Sequence, residues 1–264
     1  MTAPLPVVFV SHGSPMHALE AGAAGEAWAA LGRGLPRPRA IVVVSAHWDT
    51  GVPALTGAAQ PETIHDFDGF PEPLYRIRYP APGAPELAAR AAALLEGAGL
   101  PAQVDPKRGL DHGAWSPLLH AYPNADVPVV QLSLQSALGT RHHLALGRAL
   151  APLAAESVLL IGSGHMTHNL RDWVRAGRIA PLAYAREFQA WVAGRIAARD
   201  LEALADYRAL APHAVRAHPS EEHFLPLFFA LGAAAPGGAS ERLYEGIEGG
   251  ALAMDAWLFR PAGA

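Results

Sequence analysis

The chain has thirteen histidines and no cysteine, so any metal or proton chemistry it performs must run through imidazole and carboxylate groups. The histidines are placed unevenly. Three apolar, β-branched runs each lead into a Gly/Ser turn that carries an imidazole: VVFVSHGSP with His12, IVVVSAHWD with His47, and VLLIGSGHMTHNL with His165 and His168. Taken singly, each is equally explained as the hydrogen-bonding group of a tight turn. Their coincidence points to a shared metal site, because parallel strands bring their carboxyl ends together along one edge however far apart they lie in sequence. A fourth candidate is His223 in AHPSEEHFLPLFFAL, where Ser220 can cap a helix starting at Glu221 and Glu222. The first-turn N–H groups and dipole of that helix would disfavour protonation, and a metal requires a neutral ring. Glu222 could join or replace His223, since iron sites often combine two histidines with a carboxylate.

Other residues offer supporting roles. His168, followed by Asn169 and Leu170 at an expected helix start, is preferred for the pocket, with His165 as its neighbour. His112, in GLDHGAWSPL, either stabilises its Gly-flanked turn or faces the pocket. His65, in TIHDFDGFP, contacts substrate or bonds to Asp66, and Trp48, Phe67, Phe70 and Trp115 would line an apolar, water-excluding cavity. His142 and His143 fall together at a helix start with nothing further to recommend them, and His17, His120, His213 and His218 read as structural.

To gather the strand-end histidines, the chain needs a largely parallel α/β sheet with helices on both faces and a site at the carboxyl ends of the strands. The pattern predicts strands over Leu5 to Val10, Ala40 to Ala46, Val127 to Leu134, Ser157 to Ile161 and Leu252 to Phe259, the first four apolar on both faces and therefore central. Helices are expected over Ala18 to Leu31, Glu86 to Glu96, Arg141 to Leu153, Leu182 to Ala198 and Glu221 to Leu231. Pro85 and Pro181 fall at or before first turns, where a missing N–H is harmless. The Pro/Gly-rich stretch from Gly51 to Pro85 is long for a connection and reads as a lid or binding loop, and AAAPGGA near residue 235 as a surface turn.

With 264 residues, 51% hydrophobic and 17% charged, one catalytic domain over 1–264 with a substantial core is expected. A net charge of -4 implies neither nucleic acid nor anionic lipid as a partner. The opening MTAPLPVVFVSHG reads as a first strand rather than a targeting segment, and no apolar run approaches the roughly 20 residues of a membrane span, so a cytoplasmic protein is expected. Oligomeric state is left open.

SHGSPM, VVVSAHW, TIHDFDGFP followed by YPAPG, DHGAWSPL, VPVVQLSL, HNL at 168–170, EEHFLPL and EGIEGGALAM run in order over nearly the whole chain. Together they resemble the class III extradiol dioxygenases, in the 4,5-DOPA dioxygenase-like branch of the LigB superfamily. The resemblance implies His12, His47 and His223 as metal ligands and His168 as the pocket histidine, either a proton-transfer group or a fourth ligand. It implies iron(II) as the active ion, with zinc as a possible occupant. The implied reaction opens a catechol such as DOPA beside its diol with O2, giving a semialdehyde. Two departures stand out: His165 replaces a small residue or asparagine ahead of HNL, and some related enzymes carry a glutamate where His223 stands.

The chemistry follows from such a site. An iron(II) ion with three protein ligands keeps positions open for both catechol oxygens and O2. His168 would act as base and then acid, with His112 hydrogen-bonding substrate or oxygen. Two alternatives are a zinc-dependent hydrolase using the same histidines, although no HExxH motif accompanies them, and a non-enzymatic binding module on the same fold.

Overall fold

The computed structural model describes residues 4–176 and 180–262. Its strands are β1 (Val7–Ser11), β2 (Ala40–Asp49), β3 (Ala54–Thr56), β4 (Gln103–Asp105), β5 (Val129–Leu134), β6 (Val158–Gly164), β7 (Ser240–Tyr244), β8 (Ile247–Glu248), β9 (Leu252–Ala253) and β10 (Ala256–Phe259). The larger helices are α1 (Gly22–Gly34), α2 (Glu72–Arg76), α3 (Pro85–Gly97), α4 (His112–Ala121), α5 (Gly139–Leu150), α6 (Leu170–Ala176) and α7 (Ala183–Ala198). The short α8 (Leu201–Ala205), α9 (Tyr207–Leu210) and α10 (Ala214–Ala217) then lead to α11 (Leu225–Ala233).

Eight strands form one sheet in the order β4-β3-β5-β2-β6-β1-β10-β7. β5, β2, β6 and β1 run parallel at its centre, and β10 pairs antiparallel with β1. These four strands are buried along nearly their whole length because both faces are covered, which is why they read as continuous apolar runs rather than alternating ones. Ile41 and Val43 of β2 pack with Trp28 of α1 and Leu118 of α4 on one face. Val42 and Val44 pack with Leu95 of α3, Leu150 of α5, Phe188 of α7 and Phe228 of α11 on the other. The expected architecture is therefore present. Among the described residues, no helix is long and apolar enough to cross a membrane.

Four local expectations are corrected. β2 continues through His47 to Asp49, so that histidine lies within the strand, beyond a register shift against β5, and not in a following turn. The strand expected over Leu252 to Phe259 is split between β9 and β10. At that break the Asp255 carbonyl accepts the Ser11 N–H and the Thr167 hydroxyl accepts the Ala253 N–H. The helix expected from Glu221 begins at Leu225, since Pro226 lacks an N–H and is accommodated in a first turn. Ser220 does not cap it, and its hydroxyl donates to Glu222 instead. α4, absent from the expected helices, forms despite Gly113 and Pro117 because Asp111 caps it: its carboxylate accepts the Ala114 N–H at 3.3 Å.

Candidate metal centre

β2, β6 and β1 are adjacent, and their carboxyl ends deliver His47, His165 and His12 to one crevice. His223 reaches the same place because β6 ends in glycine. A Cβ on Gly164 would lie 2.2 Å from the His223 carbonyl oxygen, so only glycine lets that backbone rest on the sheet, where the His165 N–H donates to the same carbonyl at 2.7 Å.

The Nε2 atoms of His12 and His47 are 3.0 Å apart, and that of His223 is 3.3 Å from that of His47. Each ring's other nitrogen is engaged by oxygen: His12 Nδ1 with Ser163 Oγ at 3.1 Å, His47 Nδ1 with Asp66 Oδ2 at 3.3 Å, His223 Nδ1 with Glu222 Oε1 at 3.0 Å. Carboxylates only accept, which places the proton on Nδ1 of His223, and the Asp66 carboxylate 3.3 Å from His47 Nδ1 is a charge contact that favours the same tautomer there. The serine reaches the same result less directly. Pro117 has no N–H to give the Gly113 carbonyl four residues back, and that carbonyl instead accepts the Ser163 hydroxyl. Ser163 then offers His12 only a lone pair, so His12 also carries its proton on Nδ1.

Burial first, and the neighbouring imidazoles second, hold His12 and His223 well below the ordinary histidine pKa and bring His47 down to about 3. Burial therefore keeps His223 neutral, in place of the expected helix dipole. Three neutral rings thus aim three Nε2 lone pairs at each other, a repulsive arrangement that a cation relieves. Two nitrogens each about 2.1 Å from one ion sit roughly 3.0–3.4 Å apart at octahedral to tetrahedral angles, which matches the observed spacing. Gly113 keeps the space clear, as a Cβ there would meet Ser45 Oγ at 2.4 Å and His47 Cδ2 at 3.1 Å.

His168 lies beside this group. Its ring stacks on His223 at 3.5 Å with only 10° between planes, and burial followed by His112 lowers its pKa to about 4. Asn169 starts α6 as its side-chain oxygen accepts the Asp172 N–H, consistent with the expected helix start. Ligand atoms of His12, His47 and His223 form one set within 4.8 Å of each other, whereas His168 groups with Glu222 and His223. His165 is fully buried against His12 at 4.8 Å and His168 at 5.1 Å, and its Nδ1 finds no hydrogen-bond partner among the described residues.

The long loop does reach the site, chiefly through Asp66, which the sequence suggested only as a partner of His65. Asp66 accepts from His112 Nδ1 at 3.0 Å and from the His112 backbone N–H at 2.9 Å, in addition to facing His47. Burial opposes its charge, yet the His112 hydrogen bond and the electrostatic pull of the His112 and His47 rings bring its pKa down to about 2. Phe67 packs against His112 at 5.6 Å. His65 does not bond to Asp66; its Nε2 lies 3.1 Å from the Ile77 carbonyl and its ring packs on Phe67. Trp48 lies beneath the Arg108 guanidinium at 5.1 Å. Trp115, expected in the pocket wall, is fully buried and ties down the loop through Nε1–H to the Ile64 carbonyl at 2.8 Å. Behind β2, the fully buried Asp111 accepts from Ser45 at 2.6 Å and from Gln131, and Ser45 in turn accepts the His47 N–H. Asp111 was not singled out, although an Asp ahead of a helix start is a capping signal, and Ser163, Ser45 and Gln131 carry no local signal.

Residues 6–248 match a family described as the catalytic LigB subunit of aromatic ring-opening dioxygenase. The chain is 42% identical over 256 residues to the 4,5-DOPA dioxygenase extradiol of Beta vulgaris, covering 95% of each. It is 41% identical over 257 residues to the protein of the same name from Escherichia coli K12, covering 95% of this chain and 93% of the other. A crystal structure of an uncharacterized Escherichia coli K12 protein superimposes with a TM-score of 0.83 at 37% identity, covering 97% of this chain and 99% of that one.

Proposed function

The chain belongs to the LigB family of aromatic ring-opening dioxygenases, and on that premise we propose that a single catalytic domain over residues 1–264 opens a catechol such as DOPA beside its diol, at an iron(II) ion held by His12, His47 and His223. The observation that carries the ligand assignment is the convergence of three Nε2 atoms at 3.0 and 3.3 Å, each ring having an oxygen within 3.3 Å of its other nitrogen. Held by these three nitrogens, a redox-active divalent ion would supply the electron exchange between a catechol and O2 that side chains cannot. Zinc suits the same nitrogens but has no accessible redox state.

The remaining work falls to side chains. His168, stacked beside the ligand set and neutral, takes the proton of a catechol hydroxyl and later returns it to an oxygen of the opening ring. His112, whose Nδ1–H is committed to Asp66, keeps Nε2 as an acceptor for the second hydroxyl. Phe67 offers an aromatic wall next to His112. Both atoms of O2 end in the product: the O–O bond and one ring C–C bond break, and two C–O bonds form, giving one open chain, a semialdehyde, whose new ends are an aldehyde and a carboxylate. Membership of a dioxygenase family removes the support for the hydrolase and binding-module alternatives.

The test is an oxygen-electrode trace on metal-free protein loaded anaerobically with iron(II) or zinc and then given aerated DOPA. Uptake and a visible-absorbing product are expected with iron alone. No uptake with any of several catechols under iron would overturn the reading.

A further inference from the structure

Asp66 contacts two rings of the site at once. Its Oδ2 is 3.0 Å from His112 Nδ1 and 3.3 Å from His47 Nδ1, while Oδ1 accepts the His112 backbone N–H at 2.9 Å. Its side chain is only 19% exposed. It arrives on the loop between β3 and α2, which is pinned close by: Ile64 N–H donates to the Leu110 carbonyl, Leu110 N–H to the Glu62 carbonyl, and Trp115 Nε1–H to the Ile64 carbonyl, each at 2.8 Å. A capping role alone does not account for this placement, since Asp111 already caps α4. The oxygen left over from the backbone contact faces two imidazoles.

We propose that Asp66 is a positioning residue that fixes both His47 and His112 as Nδ1–H tautomers, so that docking of the loop and readiness of the site are one event. For His47 this rests on the metal reading above, because Nε2 must be free of its proton to bind an ion. For His112 it stands on the geometry alone. The consequence is a specific sensitivity to polarity at constant shape. In Asp66→Asn the amide can face the rings with its NH2, which demands unprotonated Nδ1 atoms and moves the proton to Nε2. Turned the other way, its NH2 meets the His112 backbone N–H. Neither orientation reproduces all three contacts.

The experiment uses full-length protein labelled with 15N-histidine, stripped of metal, in wild-type, Asp66→Asn and Asp66→Ala forms. Imidazole nitrogen shifts report which nitrogen is protonated, and competition against a chromogenic chelator reports zinc affinity. Wild type should show Nδ1–H at His47 and His112. Asp66→Asn should move at least one ring toward Nε2–H and weaken zinc binding by about 10- to 100-fold, the usual effect of removing a partner that orients a ligand. Asp66→Ala removes the acceptor without adding a donor and should mix the tautomers. It carries the test if the amide variant fails to fold. A loop contact that only stabilised the fold would lower the melting temperature and leave both tautomers as in wild type. That result, with unchanged zinc affinity, overturns the proposal. A wild type that binds no divalent ion defeats the metal assignment instead, and the tautomers still decide the role of Asp66.

Discussion

At the scale of single residues, the site separates imidazoles that converge on one point from an imidazole that lies alongside them. His12, His47 and His223 share the close Nε2 contacts, whereas His168 presents its ring face to His223. The variants should therefore fall into two groups. His12→Ala or His47→Ala should lose stoichiometric metal by elemental analysis while the far-ultraviolet circular dichroism stays that of wild type. His168→Ala should keep most of its metal, yet lose about 100-fold or more in turnover, as expected for loss of a general acid–base group. Metal lost in step with activity in His168→Ala would make it a fourth ligand. Retention of full metal by His12→Ala and His47→Ala would remove the ligand assignment.

At the scale of elements, α4 does more than cover the sheet. Pro117 within it denies the Gly113 carbonyl its helical donor, and that carbonyl takes the Ser163 hydroxyl, which in turn sets the His12 ring. Proline inside a helix costs roughly 3 kcal/mol, so its presence here calls for a compensating role. Pro117→Ala gives α4 an N–H that competes with Ser163 for the same carbonyl. The backbone gain and the loss of ring packing oppose each other, so the melting temperature should move little. Metal affinity should fall by about tenfold, in line with other losses of ligand orientation. Unchanged affinity in a folded Pro117→Ala protein would mean that Ser163 orients His12 without help from the helix.

At the scale of the whole molecule, the fold buries imidazoles outside the three converging rings as well. His143 is held at about 4 and His218 at about 3, below the ordinary 6.5, with burial the main cause in both. Because the folded-state pKa values are depressed, the unfolded chain binds these protons first. Their contribution is complete above pH 6.5 and is lost progressively as the pH falls toward 4 and 3. Each amounts to a few kcal/mol at most, on the order of 1.4 kcal/mol per unit. Urea midpoints of metal-free protein should drop steadily between pH 7 and pH 4.5 (about the window in which unfolded histidine takes up its proton). The drop should be shallower in His143→Gln. Identical slopes in the variant and the wild type would show that burial of this ring does not govern acid sensitivity.

The sequence by itself determined the parallel core and the edge at which the histidines gather. β1, β2, β5 and β6 are apolar on both faces, and histidines lie near or just past the carboxyl ends of β1, β2 and β6, so the strands and the shared crevice follow from local pattern alone. It also pointed to the long loop before α3 as part of the site. Tertiary structure decided what orients those rings. Ser163, Asp66 and Glu222 act on His12, His47 and His223 through contacts that range from one residue apart to 151, and nothing in a window of sequence ties His12 to a serine on β6. The start of α11 was expected at Glu221 and lies at Leu225, and the reason His223 lies against β6 is the missing Cβ of Gly164 on another strand. Apolar periodicity reports which side of an element faces the core. The protonated nitrogen of an imidazole depends on which oxygen lies within about 3 Å of it, and that is a property of the packed chain.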